Sequence, residues 1–302
     1  LEFLRRAGIG TYYFFPVDDE MAYYRSDLLP VRADYLTPMR QAAQEMGVEV
    51  HPLLGFGRIA PIAGDRRYRS LARPGREVPF SVDRSACPSW PENRDLLVRV
   101  VREIVERYAV DGVQLDYFRY PNRDMQAEFP CTCEACRQRR LGWLGRGELT
   151  DDDLRHPAVM HKEIAQKGQC IREALERIRA LVHGVGKPLS LAARTHYLDD
   201  AVYEGQDWVE FAAAGLVDRV LPMSYSRTQA EFEAFVTEHQ RLLAPTPVRY
   251  LPGVAKSWSC GRLSTEAFLA QVGVALESGA NGLCIFANWG MTEADFRGLE
   301  SL

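Results

Sequence analysis

The sequence predicts an α/β fold of the (β/α)8 TIM-barrel class, and three observations predict it. Short β-rich runs alternate with helical stripes along the whole chain. Glycine and proline punctuate the junctions between them. No Gly-rich phosphate turn follows any strand, which disfavours the open doubly wound sheet that shares this alternation.

Leu1 to Ala7 reads as the end of a helix, with Leu1, Phe3 and Leu4 apolar and Gly8 and Gly10 stopping it. Thr11 to Phe15 is a β-rich run ended by Pro16. Asp34 to Met46 carries apolar residues at helical spacing (Tyr35, Leu36, Met39, Ala42, Ala43, Met46), and after Gly47 the run Val48 to Leu54 is a strand. Pro91 to Tyr108 sets Leu97, Val100, Val101, Ile104, Val105 and Tyr108 on one helical stripe, with Pro91 suited to the first turn. Asp111 to Phe118 is the next strand. Met160 to His183 is a helix, punctuated by Gly184, Gly186 and Pro188 before the strand Leu189 to Arg194. The pairing repeats as helix Trp208–Ala214 with strand Val217–Met223, and helix Ala230–Leu243 with strand Val248–Val254. It repeats again as helix Glu266–Ser278, which Ser264 can cap, with strand Gly282–Ala287. The helix Thr292–Leu302 closes the chain, opened by a capping box at Thr292 and Asp295.

These are seven strands bracketed by helices. Eight units make a barrel, and the chain opens inside a helix, so the first strand is expected to be missing from the N-terminus; the visible strands are counted second to eighth. With no linker or low-complexity segment, residues 1–302 read as a single domain.

Composition narrows the function. Of 302 residues 46% are hydrophobic and 26% charged, with 37 basic against 41 acidic side chains, so no basic excess suggests a nucleic-acid partner. No run reaches the ~18 apolar residues of a membrane span. Four later strands start roughly 30 residues apart, the spacing of a plain βα unit. The intervals after the third and fourth strands are longer, over Phe56 to Ser89 and Arg119 to Pro157. Both insertions follow the carboxyl end of a strand, the working face of such barrels, and predict a roofed pocket.

The fourth strand is the most informative segment. Side chains alternate, so Val113 and Leu115 face the helices while Gln114 and Asp116 face the barrel axis. Asp116 then stands near the mouth. A carboxylate losing hydration there is either kept for chemistry or paired, and Arg119 and Arg194 are the structural partners on offer.

The run Cys87-Pro-Ser-Trp-Pro-Glu-Asn-Arg-Asp-Leu-Leu, continued by Tyr108-Ala-Val-Asp-Gly-Val-Gln-Leu-Asp-Tyr-Phe-Arg-Tyr-Pro121, resembles glycoside-hydrolase-like TIM barrels. These are the hypothetical glycosyl hydrolase groups with an Asp-Gly-x-x-Leu-Asp-Tyr-x-Arg-Tyr-Pro fourth strand. Cys131-Thr-Cys-Glu-Ala-Cys136-Arg resembles the cysteine cluster some of these groups carry, and Gly215 to Tyr225 is similar to their sixth strand. The strand motif is moderately specific for the fold and less so for the reaction. The resemblance implies a sugar hydrolase. Asp116 also resembles the fourth-strand aspartate of α-amylase-like and α-galactosidase-like barrels, where it is the nucleophile.

Glycoside hydrolysis uses two carboxyl groups flanking the scissile bond. Asp116 is the first, as nucleophile or oxocarbenium stabiliser. The sixth and seventh strands end without a carboxylate, so the acid/base is sought after the fifth, in Arg194-Thr-His-Tyr-Leu-Asp-Asp200 and Glu204. Asp200 is placed ahead of Asp199, with Asp18 and Asp19 after the second strand in reserve. Alternation puts Arg194 and His196 inward on the fifth strand. Tyr225, Trp258 and Trp289 fall at or beyond the ends of the last three strands and suit a sugar face; His51, Arg119, Arg194, His196 and Asn288 are candidate hydroxyl partners. The bland reading of each alone is core or rim; their shared position at strand ends groups them.

Seven cysteines make a poor disulfide framework for this length. Cys131, Cys133 and Cys136 lie within six residues and Cys87 ends the neighbouring insertion. Such a set suits a structural zinc; a disulfide and free thiols are the rival readings. Cys170, Cys260 and Cys284 are read as buried or free. The reaction itself calls for no cofactor. The expected partner is a carbohydrate, acted on by a glycosidase. The alternatives are a carbohydrate-binding barrel without turnover and a metal-dependent hydrolase. The latter is weakened because no His-x-His or His-Glu-x-x-His occurs, though a metal near Asp116, His51 and His196 would revive it.

Overall fold

Strand β1 (Thr11–Phe14) leads into a small hairpin, β2 (Val17–Asp18) and β3 (Met21–Ala22), and then helix Leu36–Met46 returns the chain to β4 (Glu49–Leu54). The computed structural model describes residues 2–18, 21–57, 59, 66–71, 85–121, 131–258 and 261–302. Asp19, Cys260, most of the first insertion (58, 60–65 and 72–84) and residues 122–130 of the second therefore lie outside the described residues. After helix Pro91–Arg107 comes β5 (Val113–Leu115), and after helix Pro157–Gly184 comes β6 (Leu189–Ala193). β7 (Arg219–Pro222), β8 (Arg249–Tyr250) and its continuation β9 (Gly253–Ala255) follow. A second hairpin, β10 (Ser257–Trp258) with β11 (Gly261–Arg262), precedes β12 (Cys284–Phe286).

Every ladder between successive barrel strands is parallel: β1-β4-β5-β6-β7-β8 form one run, and β9 pairs with β12. Seven strand positions thus follow one another in chain order among the described residues, as the alternating pattern predicts. The row curls: the Tyr12 hydroxyl beside β1 hydrogen-bonds the side chain of Asn288, just beyond β12. Helices cover the outside because their stripes are apolar. In Pro91–Arg107 the buried face is Leu96, Leu97, Val100, Val101 and Ile104, and it joins Ile171, Leu175 and Ile178 of helix Pro157–Gly184 in the core. Burying five such side chains contributes on the order of 10 kcal/mol before chain entropy is charged against it. The expected caps form: Ser264 accepts from the Ala267 N–H, and Thr292 and Asp295 make a reciprocal capping box.

Two differences from the sequence reading bear on the site. The expected loop Arg119–Pro157 contains two helices, Glu134–Leu144 and Asp151–Arg155, the second opened by a Thr150–Asp153 capping box. The fourth strand is also shorter than Asp111–Phe118. Tyr117 adopts φ +50°, the left-handed region, so the chain leaves the sheet directly after Asp116. This turn crosses the end of β4 closely. The Asp116 N–H donates to the Leu54 carbonyl at 3.0 Å, and a Cβ on Gly55 would land on the Asp116 carbonyl.

At the amino end of the barrel His51 is fully buried beside Tyr13 (rings 5.6 Å apart, edge to face) and 3.1 Å from Glu49. Gly112 leaves room for its ring, where any Cβ would collide. Burial lowers the imidazole to about 4, against an opposing pull from Glu49.

Two predictions follow from this packing. Gly55→Ala will lower the unfolding free energy by roughly 1–3 kcal/mol or more, since backbone must move. Gly168→Ala, in helix Pro157–Gly184 with open space at its Cα, will raise it by about 0.5–1 kcal/mol. Urea unfolding of the two variants measures both, and equal effects would contradict the crossing. His51 binds its proton in the unfolded chain near pH 6.5 but in the fold only near 4, so its contribution is present above 6.5 and lost as pH falls through that window. Urea midpoints at pH 5 and pH 7 will therefore differ in the wild type and differ less in His51→Gln; the buried, likewise lowered His239 accounts for part of what remains.

Candidate active site

At the carboxyl end of β5, Asp116 is 7% exposed and capped by its own turn, with the Tyr117 N–H donating to Oδ1 at 2.6 Å. Three residues on, Arg119 folds back: its Nη1 lies 3.6 Å from Asp116 Oδ1, and its guanidinium sits 5.1 Å above the Tyr117 ring. Its Nε lies 3.0 Å from Glu204 Oε2. Glu204 is completely buried, and the same oxygen lies 3.2 Å from Nε of Arg194, whose Nη2 in turn holds Asp200 Oδ2 at 2.9 Å. Asp116, Arg119, Glu204, Arg194 and Asp200 thus form one chain of alternating charge across the loops after β5 and β6. Buried charges of this kind are tolerated because each meets an opposite one.

The chain is held by backbone as well as by charge. The Tyr120 N–H donates to the Glu204 carbonyl at 2.9 Å, and the Arg194 N–H donates to the buried Gln206 side chain at 2.9 Å. The wide helical turn Tyr197–Ala201 presents Asp200, whose carbonyl accepts from the Glu204 N–H.

Aromatic side chains face this chain from the far strands. Tyr225, beyond β7, stacks on Phe286 of β12 (5.3 Å, 20°), and Phe286 meets the edge of Trp289 at 5.9 Å. Burial, with Cys284 and Asp116 nearby, pushes the Tyr225 hydroxyl well above its usual value. The Cys284 thiol is pushed up to about 12 by burial and by the Asp116 carboxylate. Asp116 is thus within electrostatic reach of both Tyr225 and Cys284 of β12. Trp289 is 69% exposed, and Ser257, next to Trp258 in the β10–β11 hairpin, packs against Gly290 of the same turn. The result is a carboxylate at the floor and exposed aromatic surface at the rim.

Of the residues singled out from the sequence, the structure gathers Asp116, Arg119, Arg194, Asp200 and Tyr225, with Asn288, Trp289 and Trp258 along the rim. His51 stands at the opposite end of the barrel, buried under Gly112. His196 is exposed and leans on Phe235 of helix Gln229–Leu243 (5.3 Å, 81°), because β6 ends at Ala193 and strand alternation stops there. Asp199 is exposed on the same turn, and Asp18 is half-buried in the β2–β3 hairpin. Asp116, His51 and His196 therefore do not converge. Residues not foreseen are Tyr117, which carries the Arg119 guanidinium, Phe286, which joins Tyr225 to Trp289, and Gln206. The Asp-Tyr-Phe-Arg spacing could have suggested the first.

Beside this site Cys87, Cys131, Cys133 and Cys136 are all buried, with their Sγ atoms within 4.8 Å of one another. Among the described residues it is the one cluster of His, Cys, Asp or Glu side chains gathered closely enough to ligate a metal.

Residues 81–258, more than half of the chain, match the family described as glycosyl hydrolase-like 10. The glycosyl hydrolase DigH of Escherichia coli K12 is 25% identical over 298 residues, covering 84% of this chain and 64% of that protein. The glycosyl hydrolase YngK of Bacillus subtilis is 24% identical over 207 residues, covering 64% of this chain and 39% of that protein. The chain thus spans about 64% of the length of the DigH relatives it matches. Among solved structures, the glycoside hydrolase domain of PgaB (BpsB) from Bordetella bronchiseptica superposes with a TM-score of 0.76 at 16% identity, covering 99% of this chain and 90% of that one. The α-L-fucosidase isoenzyme 2 of Paenibacillus thiaminolyticus gives 0.69 at 20% identity, over 99% and 44%. These structural likenesses show the fold, a TIM barrel. The family match covers the fourth-strand motif, the cysteine set and the strands that carry the charge chain, and on it the chain belongs to the glycosyl hydrolase-like 10 family.

Proposed function

We propose that this chain is a glycoside hydrolase acting on an oligo- or polysaccharide, with Asp116 as nucleophile or oxocarbenium stabiliser. The observation that carries the reading is the placement of Asp116: at a strand's carboxyl end, nearly buried, beside a guanidinium and facing an aromatic wall. A guanidinium neighbour favours the charged form of a carboxylate, which suits an anionic role opposite developing positive charge on a sugar ring. The exposed face of Trp289 suits the apolar side of a pyranose, and Asn288 and Arg194 suit its hydroxyls. Asp200 is the assigned acid/base, the half-exposed end of the charge chain. The family membership and the names of the DigH and YngK relatives support a carbohydrate substrate.

One observation favours a second reading, a carbohydrate-binding barrel without turnover. Asp200 and Glu204 are both engaged by arginines, whereas a general acid must surrender a proton at each cycle.

A broad oligosaccharide panel with reducing-sugar detection separates the two. Hydrolysis should be measurable, be lost in Asp116→Asn, and fall about 10²–10⁴-fold in Asp200→Asn. An aryl glycoside with a good leaving group needs less protonation, so it should restore more activity in Asp200→Asn than in Asp116→Asn. Saturable binding with no product from any substrate would replace the enzyme with the binding module. Unchanged rates in Asp200→Asn would move the acid elsewhere.

A further inference from the structure

The four buried cysteines take no part in the proposed chemistry, yet they join the two insertions that frame the mouth. Cys87 closes the first: its N–H donates to the Tyr68 carbonyl, and its own carbonyl accepts from Asn93 at 3.0 Å. Cys131, Cys133 and Cys136 open the return of the second, and Cys133 stands at the start of helix Glu134–Leu144.

We infer that Cys87, Cys131, Cys133 and Cys136 bind one zinc ion as a closed tetrathiolate that staples the two insertions together. Three features of the site, independent of cysteine spacing along the chain, carry this. The first is distance. A tetrahedron with ~2.3 Å zinc–sulfur bonds holds its sulfurs ~3.8 Å apart. Cys87 Sγ lies 3.7 Å from Cys136 Sγ and 3.9 Å from Cys131 Sγ, and all four fall within 4.8 Å of one another. The second is hydrogen bonding. Cys131 Sγ accepts from the Leu71 N–H at 3.2 Å and the Cys133 N–H at 3.5 Å, and N–H donors of this kind favour the thiolate. The third is charge. Zinc with four thiolates carries a formal charge of 2−, which is costly to bury without cations nearby. Arg139, Arg140 and Lys167 are within electrostatic reach of these cysteines, and both arginines also bind Glu163. The Arg140 guanidinium, 1% exposed, donates to the Cys131 carbonyl at 2.6 Å.

With four protein ligands the site has no open position, so the metal is structural. Its place gives it leverage on the active site. Cys136 Sγ lies 3.1 Å from the Ser89 hydroxyl, which shares a 2.7 Å hydrogen bond with the Tyr120 hydroxyl. Tyr120 follows Arg119 and ties the turn to Glu204 through its N–H. A metal here therefore fixes the chain at Tyr120, four residues past Asp116, independently of which sugar is bound. Binding needs only Zn²⁺ and loss of four thiol protons to solvent; no redox step is involved.

The test is metal analysis of the purified chain, prepared without chelator and with reductant, then given one equivalent of Zn²⁺ and desalted. About one zinc per chain is expected, released by a mercurial thiol reagent. Co²⁺ in its place should give the intense near-ultraviolet charge transfer and the visible bands of a tetrahedral thiolate site. Cys136→Ser should lose most of the zinc, and Cys170→Ser, outside the cluster, should keep it. Zinc removal should also lower the melting temperature. Less than a tenth of an equivalent in the wild type would overturn the assignment. So would an intact mass 4 Da below the reduced chain that returns on reduction, which assigns two disulfides instead. The wild-type measurement decides the matter even if a cysteine variant fails to fold, and it is indifferent to whether any sugar is hydrolysed.

Discussion

A guanidinium or carboxylate taken out of water must meet its opposite, and that requirement organises the mouth of this barrel. Glu204 has no exposed surface and lies between two arginines, one from the turn after β5 and one from the end of β6. Removing that single carboxylate would take a shared buried partner from two arginines, each of which keeps a contact to a second carboxylate, and breaking one side of a buried pair costs about 3–5 kcal/mol. The loops that carry the candidate catalytic groups are thus tied to each other by these charges as well as by the Tyr120–Glu204 main-chain hydrogen bond. The aromatic wall of Tyr225, Phe286 and Trp289 supplies the opposite character across the opening. Such a division, ionic on one side and flat and apolar on the other, matches a ligand with hydroxyl edges and C–H faces.

Much of this architecture could be read from the chain. Glycine and proline mark the turns between helices and strands, and the apolar stripes have the right period, so all seven strand positions were recoverable. The inward direction of Asp116 followed from Val113 and Leu115 alone. Its pairing with Arg119 was legible too, as the structural alternative to a catalytic role, and the structure shows that pair. What alternation could not show was where it ends. β6 stops at Ala193, so extending the alternation three residues further, to His196, puts that side chain on the wrong side. β5 stops at Leu115 because Tyr117 turns left-handed, a conformation that tyrosine does not advertise. Helix Glu134–Leu144 was hidden because cysteines and arginines replace its apolar stripe; it is organised around sulfur and charge. The Thr150–Asp153 box is legible as Thr-x-x-Asp in the sequence.

His51 illustrates a different limit. A histidine beside a barrel strand's polar neighbours reads the same whether it faces a ligand or a glycine. Only the gap at Gly112, sixty-one positions further along the chain, decides that it packs as a neutral core side chain, buried next to Tyr13. Long-range accommodation of this kind leaves no local trace.

The crossing of Gly55 under the Asp116–Tyr117 turn has a corollary. It anchors the carboxylate to the sheet by main-chain contacts alone, upstream of residues 122–130 and just before residue 58. Substitutions outside the crossing leave this main-chain anchor untouched. A scaffold with that property tolerates new side chains around its opening without moving the carboxylate, whereas any side chain at the glycine must displace backbone.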